Sequence, residues 1–434
     1  MILDIFKIEG AHRLKGDLEM HGAKNSALPI LAATVMLKGT AKIHNCPILS
    51  DVFAAMDILK ALGLRVQYQN HSVLVDATTL SGYEIPEHLM LKMRSSVIFL
   101  GAILGRMGKA ILSSPGGCEI GLRPIDLHVK AMQQMGAKIE EEGGKLFVTA
   151  PNGLHGANIT LAFPSVGATE NILLAASTAK GQTVLTNAAR EPEISDLAAF
   201  LNAAGAKIQT IGDSTLVIDG VDALHSAEHI VIPDRMEAAS YLLAGAMTKG
   251  EITVENMVPE HLSALLPVLK EAGCKMKVYS TAIHLKAPER LKAVKLTRTM
   301  PYPGFPTDAQ APLSAMLTVA NGTSVVIENI FESRYKHALP LTRFGANIRI
   351  EGRMEVIEGV KQLRAAKVCA PDLRGGMALL MAGLAAEGET ILSGLSHLDR
   401  GYEEPEIMLS HLGANIKRIK NYARINESSA KDTT

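Results

Sequence analysis

The chain has 434 residues, enough for two or three domains, and its 44 Lys plus Arg balance 44 Asp plus Glu to give no net charge. That balance argues against a polycationic nucleic-acid binder, and 4% aromatic content without Trp argues against stacking platforms for single strands. At 47% hydrophobic and 20% charged residues, the composition is that of a folded globular protein and excludes disorder over most of the chain.

The first residues, Met1 to Lys7, mix acid and base where a signal peptide needs an apolar run. No apolar stretch approaches the ~18 residues of a membrane span, so no membrane association and a cytoplasmic location are expected. Strand-like pieces fill residues 1–23. A pattern then recurs six times. An apolar run ends at Gly39, Gly108, Gly181, Gly250, Gly322 or Gly388, and a β-type run follows. An amphipathic run then ends at Gly63, Gly136, Gly205, Gly273, Gly345 or Gly413, before a further strand-like run. Successive members of the second glycine set lie 73, 69, 68, 72 and 68 residues apart. A glycine just past a helical run predicts a left-handed C-terminal cap. A helix apolar on all sides should be buried, and one with a single apolar stripe should show its other face to water. Each repeat, of about 70 residues, therefore reads helix, strand, helix, strand, strand.

Six such units exceed one small core, so two domains of three repeats are expected. The first spans 24–232. The second combines 1–23 with 233–422, the N-terminal pieces completing the last repeat, which runs short after Ile419. A polar tail, 423–434, follows. The four cysteines, Cys46, Cys118, Cys274 and Cys369, form no CxxC pair, so neither a zinc site nor a disulfide framework is expected. Cys46, Cys274 and Cys369 read as core fillers.

Four segments break the repeat and are candidates for function. His21 to Pro29 places Lys24 and Asn25 just before a buried helix, whose free N–H groups and positive dipole end make an anion site. Ser113 to His128 carries an inserted Pro115-Gly116-Gly117-Cys118 loop. A loop thiol there is unusual, since free Cys is normally buried; Arg123 would favour its thiolate and Glu119 would oppose it. Met300 to Gln310 uses three prolines to deliver Thr307 and Asp308 to another apolar helix, which Asp308 is expected to cap. Lastly, Arg94, Arg334, Arg374 and Arg400 stand on conspicuous turns and suggest a site for phosphate and carboxylate groups. His128, His337 and His397 lack metal-ligand spacing and read as ordinary residues.

Together these motifs resemble the enolpyruvyl transferases of early peptidoglycan synthesis. The matching stretches run nearly end to end: Gly22-Ala23-Lys24-Asn25, Pro115 to Cys118, Arg123 to His128, Pro164 to Glu170, Asn187 to Glu193, Pro233-Asp234-Arg235, Phe305 to Asp308, Asp372-Leu373-Arg374 and Asp399 to Glu403. The resemblance implies an α/β fold of two pseudo-threefold inside-out α/β barrels, with helices inside and sheets outside. It implies transfer of the enolpyruvyl group of phosphoenolpyruvate to the 3-hydroxyl of UDP-N-acetylglucosamine through a tetrahedral ketal, with no metal or organic cofactor. Cys118 would be the proton donor and the thiol alkylated by fosfomycin, and Asp308 would take the hydroxyl proton. Lys24, Arg123 and Arg400 match positions around the phosphate, with Asn25 beside them, and Arg334 and Arg374 are candidates for the carboxylate. Arg94, Arg123, Pro124, Ile125, Asp126, Leu127, Ser165, Val166, Asp308 and Ile330 match positions lining the nucleotide sugar. Phe163 stands where some members place a lysine, so a basic contact to the diphosphate is absent; Ser333 and Leu122 are smaller departures.

Two rivals compete with this reading. The shikimate-pathway enolpyruvyl transferase shares fold and donor, but a Gly-Ala-Lys-Asn start and Cys118 argue against it. A non-catalytic repeat scaffold would not require Cys118, Asp308 and the arginines in these positions.

Overall fold

The computed structural model describes residues 4–93, 95–113 and 125–420. Among these, residues 22–232 form one compact unit, while residues 4–21 and 233–420 form a second. Cys118, Arg123, Pro124 and Arg94 lie outside the described residues.

Each unit has three helices at its centre and three sheets around them, the inside-out α/β barrel arrangement. In the unit of 22–232 the central helices are Lys24–Ala33, Phe99–Met107 and Val166–Ala176, the middle one packing against both others. In the second unit Gln310–Leu317 packs against Arg235–Met247 and Leu373–Ala385, which also touch each other. The cause is composition. Arg235–Met247 is buried at all thirteen positions, and its Leu, Ala and Met side chains leave no face that gains by meeting water. Burying each Leu contributes about 1.5–3 kcal/mol. The outer helices differ as their single stripe demands. In Ser50–Ala61, Val52, Ala55, Met56 and Leu59 are buried while Phe53 is exposed.

Among the described residues, five of the six sheets have four strands, and each of those joins an antiparallel set to one parallel edge pair. The sixth has three, with a single parallel bridge from Glu84 to Ile111 at its edge. The unit of 22–232 closes on itself: Ala227–Ile230, near its end, pairs with Thr40–His44 near its start, His229 facing Ile43. The N-terminal segment serves two sheets rather than only the last repeat. Ile5–Glu9 inserts between Glu389–Ser393 and Asn415–Ile419, and Lys15–Glu19 pairs with Glu251–Glu255 of the fourth repeat. Alternation sets the register: Phe6 and Ile8 are buried while Glu9 points out.

All six glycines of the second set are left-handed, from φ +85° at Gly413 to +102° at Gly205, and each precedes a strand that starts two residues later. The first set departs from expectation at two members. Gly39 and Gly250 do not have positive φ; they are glycines because of crowding. A Cβ would lie 2.2 Å from Ser226 Oγ at Gly39 and 2.4 Å from the Leu14 carbonyl oxygen at Gly250, where Lys249 takes the left-handed turn instead. The cysteine reading also needs one correction. Cys46 and Cys274 are buried, and burial pushes both thiols up to about 12, but Cys369 is exposed on the short strand Lys367–Cys369.

Candidate active site

Several polar residues buried in the central helices stand in their first turns, among them Lys24, Ser26, Arg235, Glu237, Gln310 and Arg374. In the second unit, the proline-rich segment leads into a short turn, Thr307–Ala309, directly before Gln310–Leu317. Asp308 does not cap that helix. Its carboxylate is engaged from both sides instead, by Arg334 Nη2 at 2.5 Å on Oδ1 and by Arg374 Nη2 at 2.9 Å and Nε at 3.2 Å on Oδ2. Two guanidiniums out-compete backbone N–H groups for a carboxylate because each bond is charge-assisted. Burial alone would raise the Asp308 carboxyl, but Arg374 and Arg334 outweigh it and hold the group well below the usual carboxylate range.

Arg374 enters from the second position of Leu373–Ala385, a helix capped by Asp372 accepting from the Gly375 N–H at 2.8 Å. Its guanidinium lies 5.2 Å from the Tyr402 ring centre, and the Tyr402 hydroxyl pairs with Ser240 Oγ at 2.7 Å. Arg374 Nη1 is buried and makes no hydrogen bond of good geometry among the described residues, with the Tyr402 hydroxyl as its polar neighbour. Arg334 stacks 5.1 Å from the Phe331 ring centre, and its Nη1 donates to Thr307 Oγ1 at 3.0 Å. Ile330 precedes Phe331 on the loop that leads to Arg334, with its N–H donating to Glu328 Oε1. Arg400 closes the turn Leu395–Arg400, half-buried, two residues before Tyr402. Thus Asp308, Arg334 and Arg374 are brought into direct contact, with Ile330 on the adjoining loop.

In the unit of 22–232, Lys24 and Asn25 are the first two residues of Lys24–Ala33, not residues ahead of it. No side chain caps that helix. Lys24 is buried rather than solvated, and its Nζ pairs with Asp51 Oδ2 at 3.1 Å. Two residues along, Ser26 Oγ donates to Asp196, which also binds His229 Nε2 at 2.8 Å. The other assigned positions stand at helix starts too. Ile125 precedes Asp126–Gln134, whose first two residues are Asp126 and Leu127. Ser165 caps Val166–Ala176 by accepting from the Ala168 N–H at 3.3 Å, and Val166 is its first residue. Helix starts present free N–H groups and a positive dipole end, which suits diphosphate oxygens. Phe163, close by, is 42% exposed.

Two of the histidines noted in the sequence are buried. His128 is buried, meets Asn171 Nδ2 at 2.8 Å, and burial lowers it to about 4, so it is neutral at pH 7. His337 pairs with Glu355 at 3.3 Å in the core. Sequence reasoning missed Asp51, Glu328, Tyr402 and the His21–Glu237 pair, whose partners lie far away along the chain and carry no local signal.

A curated UDP-N-acetylglucosamine 1-carboxyvinyltransferase of Caldanaerobacter subterraneus subsp. tengcongensis is 50% identical over 414 residues, covering 95% of this chain and 99% of that protein. The chain belongs to that family. Relatives of the same name from Symbiobacterium thermophilum and Staphylococcus aureus are 48% and 44% identical, each alignment covering 95% or more of both chains. The family model described as EPSP synthase (3-phosphoshikimate 1-carboxyvinyltransferase) matches residues 8–426. The chain is thus a transferase of the carboxyvinyltransferase family. Among solved structures, the enolpyruvyl transferase NikO from Streptomyces tendae shares the fold at TM-score 0.87 and 24% identity, covering 97% of this chain and 100% of that one. An EPSP synthase from Acinetobacter baumannii shares it at 0.71 and 19%, covering 96% and 100%. Among the described residues no helix is long and apolar enough to cross a membrane.

Proposed function

We propose that the protein transfers the enolpyruvyl group of phosphoenolpyruvate to the 3-hydroxyl of UDP-N-acetylglucosamine, the first committed step of peptidoglycan precursor synthesis, in the cytoplasm. The observation that carries the reading is the Asp308 carboxylate held between Arg334 and Arg374. The names of relatives 44–50% identical over nearly the whole chain support the choice of acceptor.

Asp308 takes the proton of the sugar hydroxyl as its oxygen attacks C2 of phosphoenolpyruvate. Cys118 delivers a proton to the methylene C3, giving a tetrahedral ketal. Loss of a proton from C3 and cleavage of the C2–O bond to phosphate then form the enol ether. Lys24, with Asn25, Arg123 and Arg400 neutralise the phosphate, and Arg334 and Arg374 receive the carboxylate. Arg94, Arg123 to Leu127, Ser165, Val166 and Ile330 line the nucleotide sugar. Asp308 is a weak base while both arginines hold it. A substrate carboxylate that takes up Arg374 Nη1 draws cationic charge away from Asp308 and raises its basicity, so donor binding prepares the base. Fixed cations aimed at phosphate and carboxylate supply the electrostatic part of the rate. Fosfomycin inactivates by alkylating Cys118.

Incubation of the protein with both substrates should yield inorganic phosphate and a nucleotide sugar heavier by one enolpyruvyl group, read by mass spectrometry. Unchanged UDP-N-acetylglucosamine after prolonged incubation with folded protein contradicts the reading.

A further inference from the structure

Glu328 has no place in the chemistry above, yet its carboxylate is more constrained than any surface acid. It follows the strand Thr323–Ile327 and is 0% exposed. Among the described residues its carboxylate accepts from four donors, none of them a cation: Thr299 Oγ1 at 2.9 Å, Thr307 Oγ1 at 2.7 Å, and the N–H groups of Ile330 at 2.8 Å and Phe331 at 3.0 Å. Four donors converging on one fully buried side chain beside the Asp308 site point to a role beyond packing.

Hydrogen-bond polarity supplies one. A carboxylate accepts only, so the single proton of the Thr307 hydroxyl must point at Glu328 Oε2. The lone pairs of that hydroxyl then face Arg334 Nη1, which donates to it at 3.0 Å. The other arm of Arg334, Nη2, holds Asp308. Meanwhile Oε1 of Glu328 fixes the backbone at Ile330 and Phe331, the loop that leads to Arg334. One carboxylate thus holds Arg334 in two ways, through the Thr307 hydroxyl and through the loop backbone.

We infer that Glu328 is a positioning residue, which acts through the Thr307 hydroxyl to aim Arg334 at Asp308. This rests on the proposed transfer reaction. In Glu328→Gln the amide oxygen can keep the two N–H groups, which leaves its NH2 facing Thr307. The hydroxyl must then accept from the amide, and its own proton turns toward Arg334, donor against donor. Arg334 shifts, while the contacts at Ile330 remain.

The test is steady-state kinetics of Glu328→Gln, Thr307→Val, Thr307→Ser and the double variant Glu328→Gln/Thr307→Val. Glu328→Gln and Thr307→Val should each lower kcat by about 10- to 100-fold, the scale of a small misplacement, with KM for UDP-N-acetylglucosamine within about 3-fold of wild type. Thr307→Ser should restore wild-type kcat, because only the hydroxyl matters. The double variant should be no worse than the poorer single one, since both break one chain of bonds. Thr307→Val at wild-type kcat, Thr307→Ser as poor as Thr307→Val, or an additive double variant overturns the role. Should Glu328→Gln fail to fold, the two Thr307 variants decide alone. Wild-type protein that forms no enolpyruvyl product overturns the transfer reading and this role with it; wild-type turnover with unaffected Thr307→Val removes the role only.

Discussion

At the residue scale the proposed reaction turns on Asp308 and its two arginines. A carboxylate between two guanidiniums gives up basicity in exchange for fixed position, and recovers it when a second anion competes for them. Asp308→Asn keeps the shape and removes the base; kcat in a phosphate-release assay should fall about 10²–10⁴-fold, and a fall under about 10-fold would contradict the base role. A second residue-scale effect concerns stability. His21 is partly buried, which lowers its pKa, but Glu237, at 3.0 Å, with Glu403 and Asp234 raises it to about 9. Its folded value lies above the ordinary 6.5. The stabilisation is thus full below about pH 6.5 and lost as pH rises through about 9. Urea midpoints should therefore fall between pH 7 and 9.5 in wild type and fall less in His21→Gln; identical slopes would contradict the assignment. Lys24, Asp308, Arg334 and Arg374 could be singled out as candidates because motif and turn chemistry mark them. Asp51 and Glu328 could not, because the side chains that meet them, Lys24 and Thr307, come from 27 and 21 residues away and only the fold brings them together. The capping role expected of Asp308 failed for the same reason: a local rule lost to two distant cations.

Elements were read more fully than residues, because periodicity is a local property that survives folding. The six all-apolar runs became six buried helices, and six glycines became left-handed caps. Gly39 and Gly250 escaped the rule because the crowding around them comes from Ser226 and Leu14, which no local pattern announces. The two kinds of glycine separate by mutation. At Gly413 nothing lies within 4 Å of an added Cβ, so Gly413→Ala meets only left-handed strain and should cost about 1–2 kcal/mol by denaturant titration. Gly413→Asn should cost less, since Asn tolerates that conformation; equal stability of all three proteins would contradict the reading. In the central helices the cost is packing: Leu379→Ala, at a 0% exposed position, should cost about 2–5 kcal/mol.

Across the whole molecule, six repeats make two units, each with a closed set of three sheets around three helices. That pattern tolerates wide sequence change, as the 24% identity and TM-score of 0.87 with NikO show, so architecture alone does not choose an acceptor. The choice rests on particular residues and on relatives 44–50% identical over nearly the whole chain. The same division explains what the sequence could convey. Repeat length and apolar runs specify the architecture, whereas the pairing of Asp308 with Arg374, 66 residues apart, emerges only from folding. The most direct measurement is phosphate release from phosphoenolpyruvate with either UDP-N-acetylglucosamine or shikimate 3-phosphate as acceptor, with and without fosfomycin pretreatment. Release with the nucleotide sugar alone, abolished by fosfomycin, is the expected result. Release with shikimate 3-phosphate, or release with the nucleotide sugar that fosfomycin leaves intact, would contradict it.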